Sequence, residues 1–291
     1  MRTLLIGEIH ADAEKLLQQH TELQKITTED FLQTQLYPDV ETVVLRTFTP
    51  LQEKELQKLP ALRCVVSCSV GLDNIAIEEL QRKKIELMHC PGSNANSVAE
   101  HTLYFLFSLL RKQAPFPELK GKTIGIIGLG YIGKLVARKL LGCGARVIAF
   151  DVIPIEAAIL KELQVEMKEF SAVLREVDIV TVHVPLNKHT KELINAQAFQ
   201  QMKKGVFFIN TSRAEVIDET ALLHSAAHGK FSGIALDMCS SVVQEQLLHN
   251  NLLITNHVAA QGQDSFREMC LQPIRLYLEK RQKNTLAPRP Q

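Results

Sequence analysis

Between Gly121 and Asp151 the chain reads GKTIGIIGLGYIGKLVARKLLGCGARVIAFD, and few folds accommodate that run. Thr123 to Ile127 is short, apolar, rich in β-branched residues and bounded by glycine, the pattern of a parallel strand buried on both faces. Gly128, Gly130 and Gly133 then form G-x-G-x-x-G, and from Tyr131 onward Ile132, Leu135, Val136 and Leu140 recur at the spacing of one helix face. In strand, turn, helix order the glycines take separate duties. One permits the sharp turn, the next lets backbone approach a pyrophosphate, and the third lets helix and strand pack closely. The helix N-terminus then faces the phosphates. A second strand, Arg146 to Phe150, ends in Asp151, eighteen residues past Gly133, where a carboxylate can accept hydrogen bonds from both hydroxyls of an adenosine ribose. The expected cofactor is NAD. A 2′-phosphate would meet that carboxylate with no arginine in Val152-Ile153-Pro154 to offset it.

At 291 residues the chain exceeds the size at which one core usually suffices, so two domains are expected. A net charge of +1, no basic run and few aromatics argue against a nucleic-acid partner. The opening MRTLLIGEIH has too short an apolar run for a signal peptide, and the longest apolar stretch, Thr102 to Leu110, is too short to cross a bilayer. A cytoplasmic protein without a membrane partner is expected. Cys64, Cys68, Cys90, Cys143, Cys239 and Cys270 form no C-x-x-C pair and sit mostly among apolar residues, which favours reduced core thiols over a metal site such as zinc or over disulfides.

Strands are expected at Thr3 to Ile6, Leu23 to Ile26, Thr42 to Leu45, Cys64 to Ser67 and Glu86 to Met88, separated by helical patterns. Such alternation implies an α/β fold whose parallel sheet binds ligands beyond the carboxyl ends of its strands. Ser97-Val98-Ala99-Glu100 has capping-box form and opens an apolar helix from Val98 to Arg111, expected to bridge two lobes. After a linker at Lys112 to Lys120, further strands are expected at Asp178 to Val184, Val206 to Asn210, Gly233 to Asp237 and Leu252 to Thr255. A last helix, Ser265 to Lys283, would cross back to the first lobe.

Seven blocks in this order resemble the D-2-hydroxyacid dehydrogenases, nearest to their phosphoglycerate dehydrogenase and hydroxypyruvate or glyoxylate reductase branches. They are SVGLDN at Ser69, CPGSNANSVAEH at Cys90, the glycine block, VHVPLNKHT at Val182, INTSRAEVIDETALL at Ile209, GIALD at Gly233 and ITNHVAA at Ile254. The resemblance covers nearly the whole chain. It implies a flavodoxin-like substrate domain at 1–96 plus 265–291 and a doubly wound Rossmann NAD-binding domain at 97–264. It implies a small 2-oxo acid as substrate, with hydroxypyruvate, glyoxylate and 3-phosphohydroxypyruvate as the candidate class.

Hydride transfer to a 2-oxo acid needs a cation to hold the carboxylate and polarise the carbonyl, and an acid to protonate the forming alkoxide. Arg213 offers a planar fork for the first task, and His257, with a reference pKa of roughly 6.5, suits the second. Both match the catalytic arginine and histidine of the family. By the same resemblance Val70 and Gly71 would present backbone amides to the substrate carboxylate, with Asn94 nearby and Arg46 placed for a substrate phosphate. Tyr131, Ile132, Asp151, Val184, Thr211, Ser212 and Asp237 would line the cofactor.

Three departures stand out. Val242 occupies the place of the glutamate that pairs with the histidine in relatives, and Glu245 is the nearest carboxylate in sequence. Ala214 replaces a glycine, a strained change only where the backbone needs positive φ. The segment after the first long helix lacks about twenty residues and a tryptophan that relatives pack at a dimer interface, so a homodimer, if formed, lacks its usual segment. Val242 favours an alternative function, an NAD-binding homologue with weak or no catalysis that senses redox state or holds a partner. Retention of both Arg213 and His257 favours the reductase.

Overall fold

The computed structural model describes residues 2–34, 36–247 and 251–283. Residue 1 and the expected domain's tail at 284–291 lie outside them. The chain divides into two compact units, one running to Asn94 and resuming at Gly262, the other spanning Ala95–Gln261.

The first unit is built on β1 (Arg2–Ile6), β2 (Glu22–Ile26), β3 (Val40–Leu45), β4 (Cys64–Ser67) and β5 (Glu86–Met88), all parallel in the order β2-β1-β3-β4-β5. That is the flavodoxin-like order. Leu4, Leu5, Val43, Val44, Val65 and Val66 are fully buried because both faces of the sheet are covered, which explains why these strands read as unbroken apolar runs. Phe31, Leu56, Leu59 and Leu80 cover one face. Cys270, Leu271, Ile274 and Tyr277 of the Gln263–Gln282 helix cover the other. The buried Tyr277 hydroxyl is satisfied there, accepting from Thr42 Oγ1 at 3.1 Å.

The second unit holds β6 (Thr123–Ile127), β7 (Arg146–Phe150), β8 (Val165–Met167), β9 (Ile179–Val182), β10 (Val206–Asn210), β11 (Phe231–Leu236) and β12 (Leu252–Ile254). Their order, β12-β11-β10-β9-β6-β7-β8, is doubly wound, with the direction of winding reversing between β6 and β9. Ligands of such sheets sit at the carboxyl ends beside that reversal. The Ala95–Arg111 helix packs Phe105, Leu106, Leu109 and Leu110 into the same core as Ile124, Val136 and Leu140.

One strand is additional to those expected, and one helix start is corrected. β8 is a three-residue edge strand, Val-Glu-Met, too short and too polar to stand out in the sequence. The helix expected from Val98 starts at Ala95, so Ser97 lies inside it and its hydroxyl donates to Ala259 O at 2.6 Å instead of capping the helix. Glu100 likewise accepts from the side chain of Asn96 at 2.9 Å.

Candidate active site

The three glycines of the β6 turn are required for different reasons. Gly128 has φ +97, and a Cβ there would lie 2.9 Å from the carbonyl carbon of His183 and from Val184 Cγ1. At Gly133 a Cβ would stand 2.1 Å from Gly128 O, so only glycine lets the helix sit this close to the turn. Gly130 differs, because its φ is −76 and a Cβ would meet no heavy atom within 4 Å. Neither backbone conformation nor internal packing calls for glycine at that position. The open space lies at the N-cap of the Tyr131–Leu141 helix, whose first N–H groups have no intrahelical acceptor and whose first turn carries no acid. A diphosphate fits that chemistry.

Asp151 closes the other side. Its Oδ2 accepts from Leu129 N at 2.7 Å and its Oδ1 from Ile153 N at 2.8 Å, which leaves each oxygen a lone pair for a ribose hydroxyl. Tyr131, Val152 and Ile153 around it are exposed. The residues present thus fit a dinucleotide with an unphosphorylated ribose.

Arg213, Asp237 and His257 come from the carboxyl ends of three neighbouring strands, β10, β11 and β12. Asn210, buried at the end of β10, fixes the loop after it. Its Oδ1 accepts from Ser212 N at 3.0 Å and Ser212 Oγ at 2.7 Å, and its Nδ2 donates to Arg213 O at 2.8 Å. Arg213 is extended, φ −136, and Ala214 begins a one-turn 3-10 helix without positive φ. Alanine in place of glycine is therefore unstrained here.

Asp237 is almost wholly buried, and its carboxylate gathers the His257 loop. Oδ1 accepts from Thr255 Oγ1 at 2.6 Å and Val258 N at 2.9 Å, Oδ2 accepts from Ala259 N at 3.1 Å, and the backbone oxygen of Asp237 accepts from His257 N at 2.7 Å. Within this clamp His257 takes φ +54, a left-handed conformation uncommon outside glycine, although histidine adopts it more readily than most residues. His101 reaches the same knot, its Nε2 standing 3.2 Å from Thr255 Oγ1 and 3.8 Å from Asp237 Oδ1. Val242 and Glu245 are both exposed on the Ser241–Gln246 helix, whose buried residue is Val243.

Thr211 belongs to a buried polar chain that sequence reasoning passed over. Thr102 Oγ1 donates to Val98 O at 2.8 Å and lies 3.1 Å from Thr211 Oγ1, which is 3.4 Å from His183 Nδ1. His183 Nε2 lies 2.9 Å from Thr181 Oγ1. Burial pushes the His183 imidazole down to about 3, so the ring is neutral and its two nitrogens divide into one donor and one acceptor. Asn210, His183, Thr102 and Thr255 all lie inside or beside the blocks that carry the resemblance, but their partners are distant in sequence.

In the first unit the register pairs Leu45 with Ser67 and Val66 with Met88, so Arg46, the Ser69–Gly71 loop and the turn from His89 to Asn94 gather along one sheet edge. The Arg46 guanidinium lies over Phe266, 4.7 Å from the ring centre, and Asn74 Nδ2 donates to Arg46 O and Thr49 O at 3.2 and 2.6 Å. Thr47 N donates to Ser69 Oγ at 2.8 Å. Four buried side-chain polar atoms along this edge, Arg46 Nε, Asn74 Oδ1, His89 Nδ1 and Asn94 Oδ1, make no hydrogen bond to the described residues. Unmet hydrogen-bonding capacity of that kind is open to water or to a small polar ligand. Burial holds the His89 ring below the usual histidine range, so it faces that edge as a neutral group.

A family model described as D-isomer specific 2-hydroxyacid dehydrogenase, NAD binding domain, matches residues 96–259. The chain is 29% identical to a hydroxypyruvate reductase of Thermotoga maritima over 288 residues, covering 90% of this chain and 92% of that protein. It is 35% identical over 244 residues to a D-3-phosphoglycerate dehydrogenase of Bacillus subtilis, covering 77% of this chain but 46% of that one. The chain thus spans about half the length of the phosphoglycerate dehydrogenases it matches. A D-lactate dehydrogenase of Aquifex aeolicus, solved with NAD and lactic acid, superimposes with a TM-score of 0.85 at 26% identity, covering 97% of this chain and 96% of its own.

Proposed function

Since the chain belongs to the D-isomer specific 2-hydroxyacid dehydrogenase family, we propose that it is a cytoplasmic NAD-dependent reductase of a small 2-oxo acid of the hydroxypyruvate, glyoxylate or 3-phosphohydroxypyruvate class. One observation carries this reading above the others: Arg213 and His257 issue from β10 and β12, on either side of β11, in the sheet whose β6 turn keeps Gly130 open for a diphosphate. When bound, NADH supplies the hydride. Arg213 holds the substrate carboxylate with two parallel N–H donors and draws charge toward the carbonyl oxygen. His257 then gives its proton to that oxygen as it becomes an alcohol. Asn210 fixes the arginine's backbone and Asp237 the histidine's, so neither has to be found by diffusion of a free loop.

On the same reading Gly128, Gly130, Tyr131, Ile132, Gly133, Asp151, Val184, Thr211, Ser212 and Asp237 surround the cofactor. Arg46, the amides of Val70 and Gly71, and Asn94 meet the substrate. The unit running to Asn94 and resuming at Gly262 is the substrate domain, and Ala95–Gln261 the NAD-binding domain. A homodimer with a reduced interface fits the short segment at 112–120, and sedimentation velocity measures it.

The deciding experiment is a panel of 2-oxo acids offered with NADH or NADPH to the purified protein. Oxidation of NADH by at least one of the three named acids, with NADPH bound more weakly, is the expected outcome. NADH binding without turnover of any acid would replace the reductase by a cofactor-binding protein. Equal or tighter binding of NADPH would remove Asp151 from the ribose.

A further inference from the structure

We propose that Cys68 and Cys270 are a peroxide-responsive dithiol: oxidation by a hydroperoxide joins their sulfurs and ties the Gln263–Gln282 helix to the end of β4, directly before the Ser69–Gly71 loop. The two residues meet in the core of the first unit, where Cys68 projects from the sheet and Cys270 from the helix laid across it. Cys68 Sγ donates to Cys270 O at 3.7 Å, which puts the sulfur of one beside the backbone of the other. Cys270 Sγ accepts from the backbone N–H of His10 at 3.5 Å. Arg46 stands one strand away at the level of Cys68, and half-buried Cys90 flanks it on the other side.

These surroundings make the pair unequal. The neighbouring Cys68 thiol, the His10 amide and the Arg46 charge together hold the Cys270 thiol below its ordinary range, while the neighbouring Cys270 and burial push Cys68 up. Cys64, on the same strand, shows what an ordinary buried thiol does, since burial simply pushes it up. A thiol held below its ordinary range beside one that keeps its proton is the arrangement from which disulfides form. The proposed reductase chemistry uses neither sulfur.

The reaction balances with hydrogen peroxide as the oxidant. The Cys270 thiolate attacks one peroxide oxygen, the S–O bond forms as the O–O bond breaks, and hydroxide leaves and is protonated to water. The Cys68 sulfur then displaces the oxygen from the Cys270 sulfenic acid, forming the S–S bond, and the Cys68 proton departs in a second water. Two thiols lose two electrons in all, and one peroxide becomes two waters. Peroxide is little larger than water and reaches such a core through local opening.

The test is independent of any enzymatic activity. The full chain, folded in neutral buffer, is treated with a few equivalents of hydrogen peroxide, quenched with N-ethylmaleimide and mapped by peptide mass. A linked Cys68–Cys270 peptide pair, two hydrogens lighter than the free peptides and released by dithiothreitol, is expected. Cys68→Ser should stop the reaction at Cys270 and leave a sulfenic acid that dimedone traps. Half-buried Cys143 or Cys239 oxidising while Cys68 and Cys270 remain free for alkylation after unfolding would overturn the proposal. A bond joining Cys68 to Cys90, or linkage found only in denaturant, would overturn it as well. The parent protein alone decides this, should the variant fold poorly.

Discussion

At the scale of single residues, the chemistry rests on how two side chains are held. Arg213→Lys replaces a rigid two-pronged donor by a point charge, so the Michaelis constant should rise and turnover fall together, by about tenfold or more each, in steady-state kinetics. Unchanged kinetics would place Arg213 away from the substrate. Asp237→Asn substitutes an N–H donor for one acceptor in a site where Thr255, Val258 and Ala259 all donate. With charge-assisted bonds worth roughly 1.5–3 kcal/mol each, the His257 loop should slacken and turnover drop by on the order of a hundredfold while the NADH dissociation constant stays within about threefold. Loss of NADH affinity with turnover intact would instead make contact with the cofactor, rather than support of the His257 loop, the main task of that carboxylate. His183 makes a prediction about pH. Because its folded-state value is about 3, the unfolded chain takes up a proton below roughly 6.5 that the folded chain refuses. The neutral ring's contribution is complete above that pH and is lost as pH falls, by about 2 kcal/mol at pH 5 from 1.5 pH units at roughly 1.4 kcal/mol each. Denaturation of parent and His183→Gln at pH 7.5 and 5.0 should show that extra loss in the parent alone. None of these partnerships could be read from residue order, because Asp237 and Ala259, or Thr102 and Thr211, meet only once the sheet has formed.

At the scale of elements, the turn between β6 and its helix separates folding from binding within six residues. Gly133→Ala puts a methyl 2.1 Å from a backbone oxygen that cannot move aside, so it should abolish or severely reduce soluble expression. Gly128→Ala combines a 2.9 Å approach to the His183 backbone with φ +97 and should cost several kcal/mol, on the order of strain plus overpacking. Gly130→Ala should fold with a melting temperature near the parent's yet bind NADH at least about tenfold more weakly, as read by fluorescence titration. A Gly130→Ala protein with normal affinity would show that no ligand backbone or phosphate comes close to that position. Elements of this kind were legible because strands buried on both faces are continuous apolar runs and glycine turns are punctuated. β8 is not, since three residues at a sheet edge carry too little pattern, and Ser97 reads as a cap although the same Ser-x-x-Glu spacing also occurs inside helices.

At the scale of the whole molecule, two doubly covered parallel sheets follow from the alternation of strand and helix patterns, which makes the fold class legible in the sequence. The membership of the final helix is a subtler matter, since its own sequence says only that it is amphipathic, while its partners Leu5, Val44 and Val66 lie more than two hundred residues earlier. A chain cut after Gln261 should therefore lose the first unit's cooperative unfolding and bind a hydrophobic dye, while the Ala95–Gln261 unit keeps its secondary structure. That geometry also governs how each copy is born. The five strands of the first sheet leave the ribosome early, but the helix that roofs them follows only after the entire second unit, roughly ten to forty seconds later at about 5–20 residues per second. Throughout that interval an apolar sheet face stands open to the crowded translation milieu, so the nascent chain is a client for holdase chaperones during synthesis, and premature termination anywhere before the helix releases a sticky fragment rather than a smaller folded protein.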